Sequence, residues 1–192
     1  MNEKSNLAQR VRDFWFGPEG SDVFGTSRPE WFKKNPTFDD AIRTAFLDDV
    51  EAAMAGDLDA LGDDNYQDCL ALLILLDQFP RNLFRDQARA FAGDERALML
   101  AKWAIDMEFD IQAPQFQRFF FYLPLEHSED LADQQFCIQR VTAMGDDELL
   151  KYAIAHHAII AQFGHFPHRN AALGRTSTEE ELEFLEGPDS SF

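Results

Sequence analysis

The sequence is poor in cysteine, in glycine-rich loops and in long apolar runs. Its two cysteines, Cys69 and Cys137, lie in apolar helical patterns and are expected to be buried free thiols in a reducing cytoplasm. No CxxC or other metal-spaced cysteine pair occurs, which excludes structural zinc held by cysteine. The sequence has no GxxxxGK[ST] or GxSxG motif, which argues against a phosphate-binding P-loop and a serine-hydrolase nucleophile.

Positive charge is also scarce, with 17 Lys and Arg residues against 35 Asp and Glu residues and a net charge of -18. A field of that sign repels nucleic acid and anionic membranes, so neither is expected as a partner. The longest strongly apolar stretch, CLALLILL at 69–76, is too short to cross a bilayer. Charged residues near the N-terminus replace the apolar region of a signal peptide. These features predict a cytoplasmic protein.

What the sequence does contain is apolar residues at helical spacing. Of its 192 residues 45% are hydrophobic and 19 are Phe, which favours a packed core over disorder. Every periodic stretch has the helical period, so we expect an all-α fold of seven to nine helices in stacked antiparallel pairs. We expect one domain over 1–192, in which the N-terminal helix and a loop holding Trp31 and Phe32 pack on a helical core at 37–186. The tail at 187–192 is expected to fray, and the sequence leaves the oligomeric state open.

Polar residues at the ends of the apolar stretches predict several helix boundaries. Thr37 is expected to cap one helix, and Ser128 is expected to cap another that Gly145 ends. Thr178, followed three residues later by Glu181, matches the capping box of a short last helix.

Two Phe-Pro motifs follow apolar helices, in LLDQFPRNLFR at 75–85 and in GHFPHRNAALGR at 164–175. Proline lacks an N–H and disfavours helical geometry in the residue before it, so each helix is expected to stop at the Phe. Arg81 and Arg169 would then be free to donate to the unpaired carbonyls of the helix ends. This structural role requires no ligand.

The same motifs lie in the least acidic parts of the chain. Residues 151–178 contain no Asp or Glu, and residues 78–96 contain four arginines against three acids. The first of these stretches also holds four of the five histidines: His156, His157, His165 and His168. Two explanations remain open. Such segments accommodate either a bound anion or carboxylates from elsewhere in the chain.

A third polar group, EHSE at 126–129, places Glu126 and His127 before the expected cap. A histidine beside a carboxylate can act as a general acid or base, although a loop histidine can equally be structural. Pro167 lies between His165 and His168, and His156 and its neighbour point to different helix faces. We therefore predict no metal site and no cofactor.

Long motifs in a fixed order resemble the bacterial domain-of-unknown-function 924 family over nearly the whole chain. They are LLDQFPRNLFR with QARAFAGDERAL, FFFYLPLEHSEDLADQ, and FGHFPHRNAALGRTSTEEELEFL, together with FWFG at 14–17 and WF at 31–32. The resemblance implies a tetratricopeptide-like α-α superhelix and supplies no activity. One departure is His165, where the family more often has arginine. The family motif falls on Asp77, Gln78, Phe79, Pro80, Arg81, Asn82, Arg85, His127, Ser128, Glu129, His156, Phe166, Pro167, His168, Arg169, Asn170 and Arg175.

The leading functional hypothesis is a pocket, lined by Arg and His side chains, that binds a small anionic metabolite where the three motif turns meet. If the pocket is catalytic, His127 or His168 would be the general acid or base and Asp77 would orient it; whether the protein is an enzyme is left open. The alternative is a tetratricopeptide-like scaffold for a protein or peptide partner, in which the motifs only cap helix ends. The expected ligand-binding residues are Arg81, Asn82, Arg85, Glu126, His156, Arg169, Asn170 and Arg175.

Overall fold

The computed structural model describes residues 3–63, 65–188 and 190, with side chains from residue 6 onward. Over that part of the chain every regular element is helical and no strand forms, which confirms the all-α prediction. The chain divides into two compact units. Unit 1 comprises the residues up to Arg85 together with Arg89–Pro124, and unit 2 comprises Asp86–Ala88 and the residues from Leu125 onward. The single domain expected from the length stays a prediction.

Unit 1 is built from the first two thirds of the helices. They are α1 (Glu3–Phe16), α2 (Pro36–Ala55), α3 (Tyr66–Leu73), a π-helical turn (Ile74–Gln78), α4 (Phe79–Leu83), α5 (Asp94–Asp106), α6 (Phe109–Gln112) and most of α7 (Gln115–Glu126). Short 3-10 turns lie at Pro29–Trp31, Asp59–Leu61 and Ala88–Phe91.

The first Phe-Pro motif does not end its helix, contrary to the sequence prediction. The chain stays helical from Tyr66 to Leu83 because a π-helical turn precedes α4 and places Pro80 in its first turn. The Phe79 N–H bonds the Ile74 carbonyl five residues back, and this wider turn accommodates a proline that has no N–H of its own to donate. The helix α7 likewise continues through Pro124 to Glu126.

Aromatic side chains fill the core of unit 1. The ring of Trp15 has no exposed surface and lies 5.6 Å from Phe79 and 5.9 Å from Phe120, measured between centroids. Trp31 stacks on Trp15 at 6.0 Å and donates through its indole N–H to the Trp15 carbonyl. Phe32, which we expected to anchor the same loop, is 59% exposed. Trp31 is therefore the anchor.

The cap of α2 also differs from the prediction. Asn35 precedes the helix, and its side chain accepts a hydrogen bond from the Phe38 N–H at 3.2 Å. Pro36 is the first helical residue, and Thr37 is already inside the first turn. An N-cap must have extended backbone, and Asn35 has it.

Unit 2 begins at the last two residues of α7. It continues with α8 (Leu131–Met144), α9 (Asp147–Phe163), a 3-10 turn (Pro167–Arg169), α10 (Asn170–Leu173) and α11 (Glu179–Leu185). Gly145 ends α8 as predicted, with a positive φ of 73°. Asp130 caps α8 in place of Ser128, whose hydroxyl donates to Asp133 at 2.9 Å. The predicted capping box of Thr178 and Glu181 is present.

The second Phe-Pro motif follows a helix that has already ended. Phe163 is the last residue of α9, Gly164 adopts the left-handed conformation, and Phe166 is extended before Pro167 starts the 3-10 turn. The frayed tail expected at 187–192 falls partly on residues 189, 191 and 192, which lie outside the described residues. Ser190 is buried and donates to the Leu185 carbonyl at 3.2 Å.

The two cysteines are buried thiols that form no disulfide, as the sequence predicted. Among the described residues, no helix is long and apolar enough to cross a membrane.

Candidate functional site

The three predicted motif turns are distributed over both units. LLDQFPRNLFR lies in unit 1, whereas EHSED and FPHRN lie in unit 2. The single pocket predicted from all three turns stays a prediction.

In unit 1 the guanidinium of Arg81 binds the carboxylate at the start of α5. It donates from Nη1 and Nη2 to the two oxygens of Asp94 at 2.8 and 3.0 Å, and from Nη1 to the carbonyl of Asp77 at 2.8 Å. Burial opposes the charge of Arg81, but the carboxylates of Asp77 and Asp94 outweigh it and raise the pKa of the guanidinium. The side chain of Asp77 is buried and accepts from Gln78.

The next two motif residues converge on the first turn of α2. Arg85 donates from Nε and Nη2 to the two oxygens of Asp39 at 2.8 and 3.0 Å, and Asn82 donates to the same carboxylate at 2.8 Å. Burial by itself raises the pKa of Asp39, but the hydrogen bonds from Arg85 and Asn82 outweigh it, and the pKa lies below its ordinary value. Arg85 is thus engaged bidentately by a carboxylate of its own chain.

In unit 2 an equivalent clamp joins the EHSED and FPHRN motifs. Glu129 accepts from Nη1 and Nη2 of Arg175 at 2.8 and 3.0 Å and from the Phe166 N–H at 2.9 Å. Burial raises the pKa of this carboxyl, but the hydrogen bonds from Arg175 and Phe166 outweigh it and leave the pKa lowered. Glu129 therefore links two turns, in addition to placing a negative charge before the start of α8.

Basic side chains surround the ring of Phe166. The guanidinium of Arg169 lies over this ring, 4.5 Å from its centroid, and donates to the His127 carbonyl at 3.0 Å. The rings of His156 and His168 lie 5.7 and 5.5 Å from the Phe166 ring, and His127 lies 6.3 Å from His156. We call His127, His156, His168 and Arg169 the basic cluster.

The basic cluster has a buried base and a partly exposed surface. His156 and Arg169 are only 4% and 6% exposed, whereas His127 and His168 are half-buried. Nδ1 of His156 hydrogen-bonds the carbonyl of Tyr152 at 2.9 Å, which fits the N–H of a neutral ring. Burial, aided by the nearby positive groups, lowers the pKa of His156 to about 3.

An acidic residue lies beneath the cluster. Glu126 is 3% exposed, and one of its carboxylate oxygens lies 3.4 Å from Nδ1 of His156. Its other oxygen lies 3.9 Å from the sulfur of Cys137, whose pKa is raised mainly by burial. Cys137 is therefore a thiol at neutral pH and not a nucleophilic thiolate.

Asn170 belongs to a separate network around the last helix. It is 1% exposed and donates to the hydroxyl of Ser177 at 3.1 Å and to Glu181 at 3.3 Å. His165 approaches the second oxygen of Glu181 at 2.7 Å. The predicted ligand residue Asn170 is thus occupied in joining α10 to α11.

Sequence reasoning missed the carboxylate partners of the motif arginines. Near a helix start, where Asp39, Asp94 and Glu129 all lie, a carboxylate is already explained by its favourable interaction with the helix dipole. A signal was present, because residues 151–178 contain two arginines and no acid, so any carboxylate partner for them had to come from elsewhere in the chain. Among the described residues, no group of three or more His, Cys, Asp or Glu side chains is placed to hold a metal ion.

Comparison with known proteins shows the family. The family model described as bacterial protein of unknown function (DUF924) matches residues 11–189. The chain belongs to this family. A solved structure of a protein of unknown function from Agrobacterium tumefaciens is 38% identical, with a TM-score of 0.85 over 96% of this chain and 99% of that one. No curated protein matches.

Proposed function

We propose that the basic cluster of unit 2 binds a small anionic metabolite, such as a carboxylate or a phosphate. The supporting observation is that His156, His168 and Arg169 gather around Phe166, with His127 beside His156, and that His127 and His168 reach the surface. Imidazole and guanidinium groups donate hydrogen bonds to oxyanions, and their strength increases where water is partly excluded.

The arginines that already bind carboxylates take no part in this proposal. Arg85 and Arg175 each donate two hydrogen bonds to a carboxylate of the chain, so an external anion would have to displace Asp39 or Glu129. In the proposed site, Arg169 supplies permanent charge at the base. The imidazole rings of His127 and His168 supply hydrogen-bond donors at the surface.

Catalysis is a further step within the same site. His127 and His168 are half-buried, so the exposed part of each ring is open to a substrate, which a general acid or base must reach within hydrogen-bond distance. Asp77, the orienting residue expected from the sequence, lies in unit 1 and is hydrogen-bonded to Gln78. The proposal therefore concerns binding first.

The test is a thermal-shift titration of the wild-type chain with phosphate, acetate, citrate and malate. A ligand at 100 times its Kd stabilises the fold by about 2.7 kcal/mol, which is a measurable shift in Tm. His127→Gln and His168→Gln, which alter half-buried side chains, are expected to fold and to lose the shift. His157→Gln is the matched control, because His157 is the next residue along α9 from His156 and lies outside the basic cluster.

Two outcomes would contradict the proposal. One is that none of these anions changes Tm beyond an equal ionic strength of sodium chloride. The other is that the shift persists in both cluster variants.

A further inference from the structure

Unit 1 contains a cleft that none of the predicted catalytic or ligand-binding residues lines. Its volume is about 240 Å³, and it lies between the helix that carries the π-helical turn and α5. Its lining residues are Asp59, Asp63, Leu72, Leu76, Arg96, Met99, Leu100 and Trp103. One water molecule occupies about 30 Å³ in the liquid, so the cleft has about eight times that volume, enough for a small organic molecule.

The floor of the cleft is apolar and fixed. Leu72 and Leu76 are buried and lie one helical turn apart on the same helix. Gly62 packs closely against Leu72 and Leu100, because a Cβ there would lie 3.3 Å from Leu72 and 3.0 Å from Leu100. These neighbours hold the floor in place, so the cleft is part of the packed structure.

The walls contain polarisable groups. Met99 is 58% exposed, although it lies next to a buried floor, and the ring of Trp103 is half-buried. Thioether sulfur and the indole face both interact well with flat or cationic organic groups.

The rim carries more negative than positive charge, because it has two aspartates and one arginine. Arg96 pairs with Asp59, and its guanidinium is fixed against Gly56, where a Cβ would lie 2.7 Å from Nη2. Asp63 is exposed on the same rim and supplies a second negative charge. The whole chain adds a net charge of -18, which attracts cations and repels anions.

We propose that this cleft binds a small organic cation with an apolar body, of the quaternary-ammonium or aromatic-amine class. The apolar part lies on Leu72 and Leu76, and the cationic part lies between the face of Trp103 and the carboxylate of Asp63. The ligand has the opposite charge to the one expected at the basic cluster, so this site is independent of the proposed function above.

The test is an NMR titration of the ¹⁵N-labelled wild-type chain with phenyltrimethylammonium chloride. The chain has three Trp residues, so three indole N–H signals are expected, and Trp103→Leu assigns the one that matters. Saturable movement of the Trp103 signal alone is the expected result. An anion of similar size, benzoate, is expected to leave that signal in place.

Two variants test which groups hold the cation. Asp63→Asn, at an exposed position, is expected to weaken binding about fivefold, and Trp103→Leu, followed through the backbone amide signals of the lining residues, by at least as much. Asp147→Asn is the matched control, since it removes the same charge from an exposed position of unit 2. Three results would overturn the proposal: no movement of the Trp103 signal at 10 mM probe, equal weakening by Asp63→Asn and Asp147→Asn, or equal binding of benzoate.

Discussion

Glu129 holds Arg175 through both carboxylate oxygens, with donor–acceptor distances of 2.8 and 3.0 Å, and also accepts from the N–H of Phe166. One carboxylate thereby joins the turn before α8 to the turn after α9 and to the chain beyond α10. In unit 1 Asp39 receives Arg85 and Asn82 in the same manner. The arginines of the family motif mainly satisfy carboxylates of the chain itself.

Replacing Glu129 with Gln is expected to lower the free energy of unfolding by about 1.5–3 kcal/mol, the usual range for a hydrogen bond to a charged group. Gln keeps an acceptor for the Phe166 N–H but leaves Arg175 without its counter-charge. Urea denaturation measures the effect as a lower midpoint at an unchanged slope. Lys151→Gln, which breaks the exposed pair with Glu148, is the control and is expected to change nothing measurable. An equal effect of the two variants would show that the clamp adds no stability.

The same clamp makes stability depend on pH in the acid range. Because the pKa of Glu129 is lowered in the fold, its contribution is complete above the ordinary value of 4.5 and is lost as the pH falls through the lowered value. The free energy of unfolding, measured in urea from pH 7 to pH 3, is expected to fall less steeply in Glu129→Gln than in the wild type. Parallel curves for the two proteins would contradict this assignment.

His156 is expected to remain neutral where an ordinary histidine is charged. Burial lowers its pKa to about 3, against 6.5 for the free side chain. Between these two values the unfolded chain binds the extra proton, so this residue makes the fold less stable as the pH falls from 6.5. The groups that face it are Glu126, His127, His168 and Arg169.

The measurement for His156 is the ¹³C shift of its imidazole ring in labelled protein from pH 8 to pH 5, assigned with His156→Gln. A signal that stays in the neutral position across this range is the expected result. A midpoint near 6.5 would mean that the ring is charged inside the fold.

Local signals in the sequence predicted some helix ends well and others poorly. The capping box at Thr178 and the glycine stop at Gly145 depend on neighbouring residues, and both are present. Pro80 misled the prediction because a π-helical turn places it in the first turn of α4, and no neighbouring residue signals that turn.

Long-range pairing explains why the candidate site was predicted only in part. Arg85 and Asp39 are 46 residues apart, as are Arg175 and Glu129, and no periodic pattern connects residues at such a separation. The shortage of acids around the motifs did point to anionic partners. It could not decide between a ligand and the chain's own carboxylates, and the structure supplies carboxylates for both arginines.

The cap of α2 offers a direct comparison of two neighbouring residues. Asn35→Ala is expected to lower the free energy of unfolding by about 1 kcal/mol, because the Phe38 N–H loses its acceptor. Thr37→Ala changes an exposed residue inside the first turn and is expected to be close to neutral. Thermal or urea denaturation of both variants ranks them. The reverse order would restore Thr37 as the cap.

Among the glycines of unit 1, Gly93 makes the tightest approach, and it is to the π-helical turn. A Cβ on Gly93 would lie 2.1 Å from the carbonyl oxygen of Leu76, and this glycine has an ordinary φ of -91°. Gly93→Ala is therefore expected to destabilise the fold by about 1–3 kcal/mol through overpacking, since backbone atoms of two packed helices must move apart.

Gly164→Ala separates this clash from a purely conformational cost. Gly164 has a φ of +74° and open space where a Cβ would be, so its cost of roughly 1–2 kcal/mol comes from the left-handed backbone. Amide hydrogen exchange distinguishes the two variants. In α5 and the π-helical turn, exchange is expected to become faster in Gly93→Ala and to stay unchanged in Gly164→Ala. Unchanged exchange at Leu76 and its neighbours in Gly93→Ala would contradict this prediction. It would mean that the helices move apart at no cost in free energy and that the close approach does not stabilise the π-helical turn.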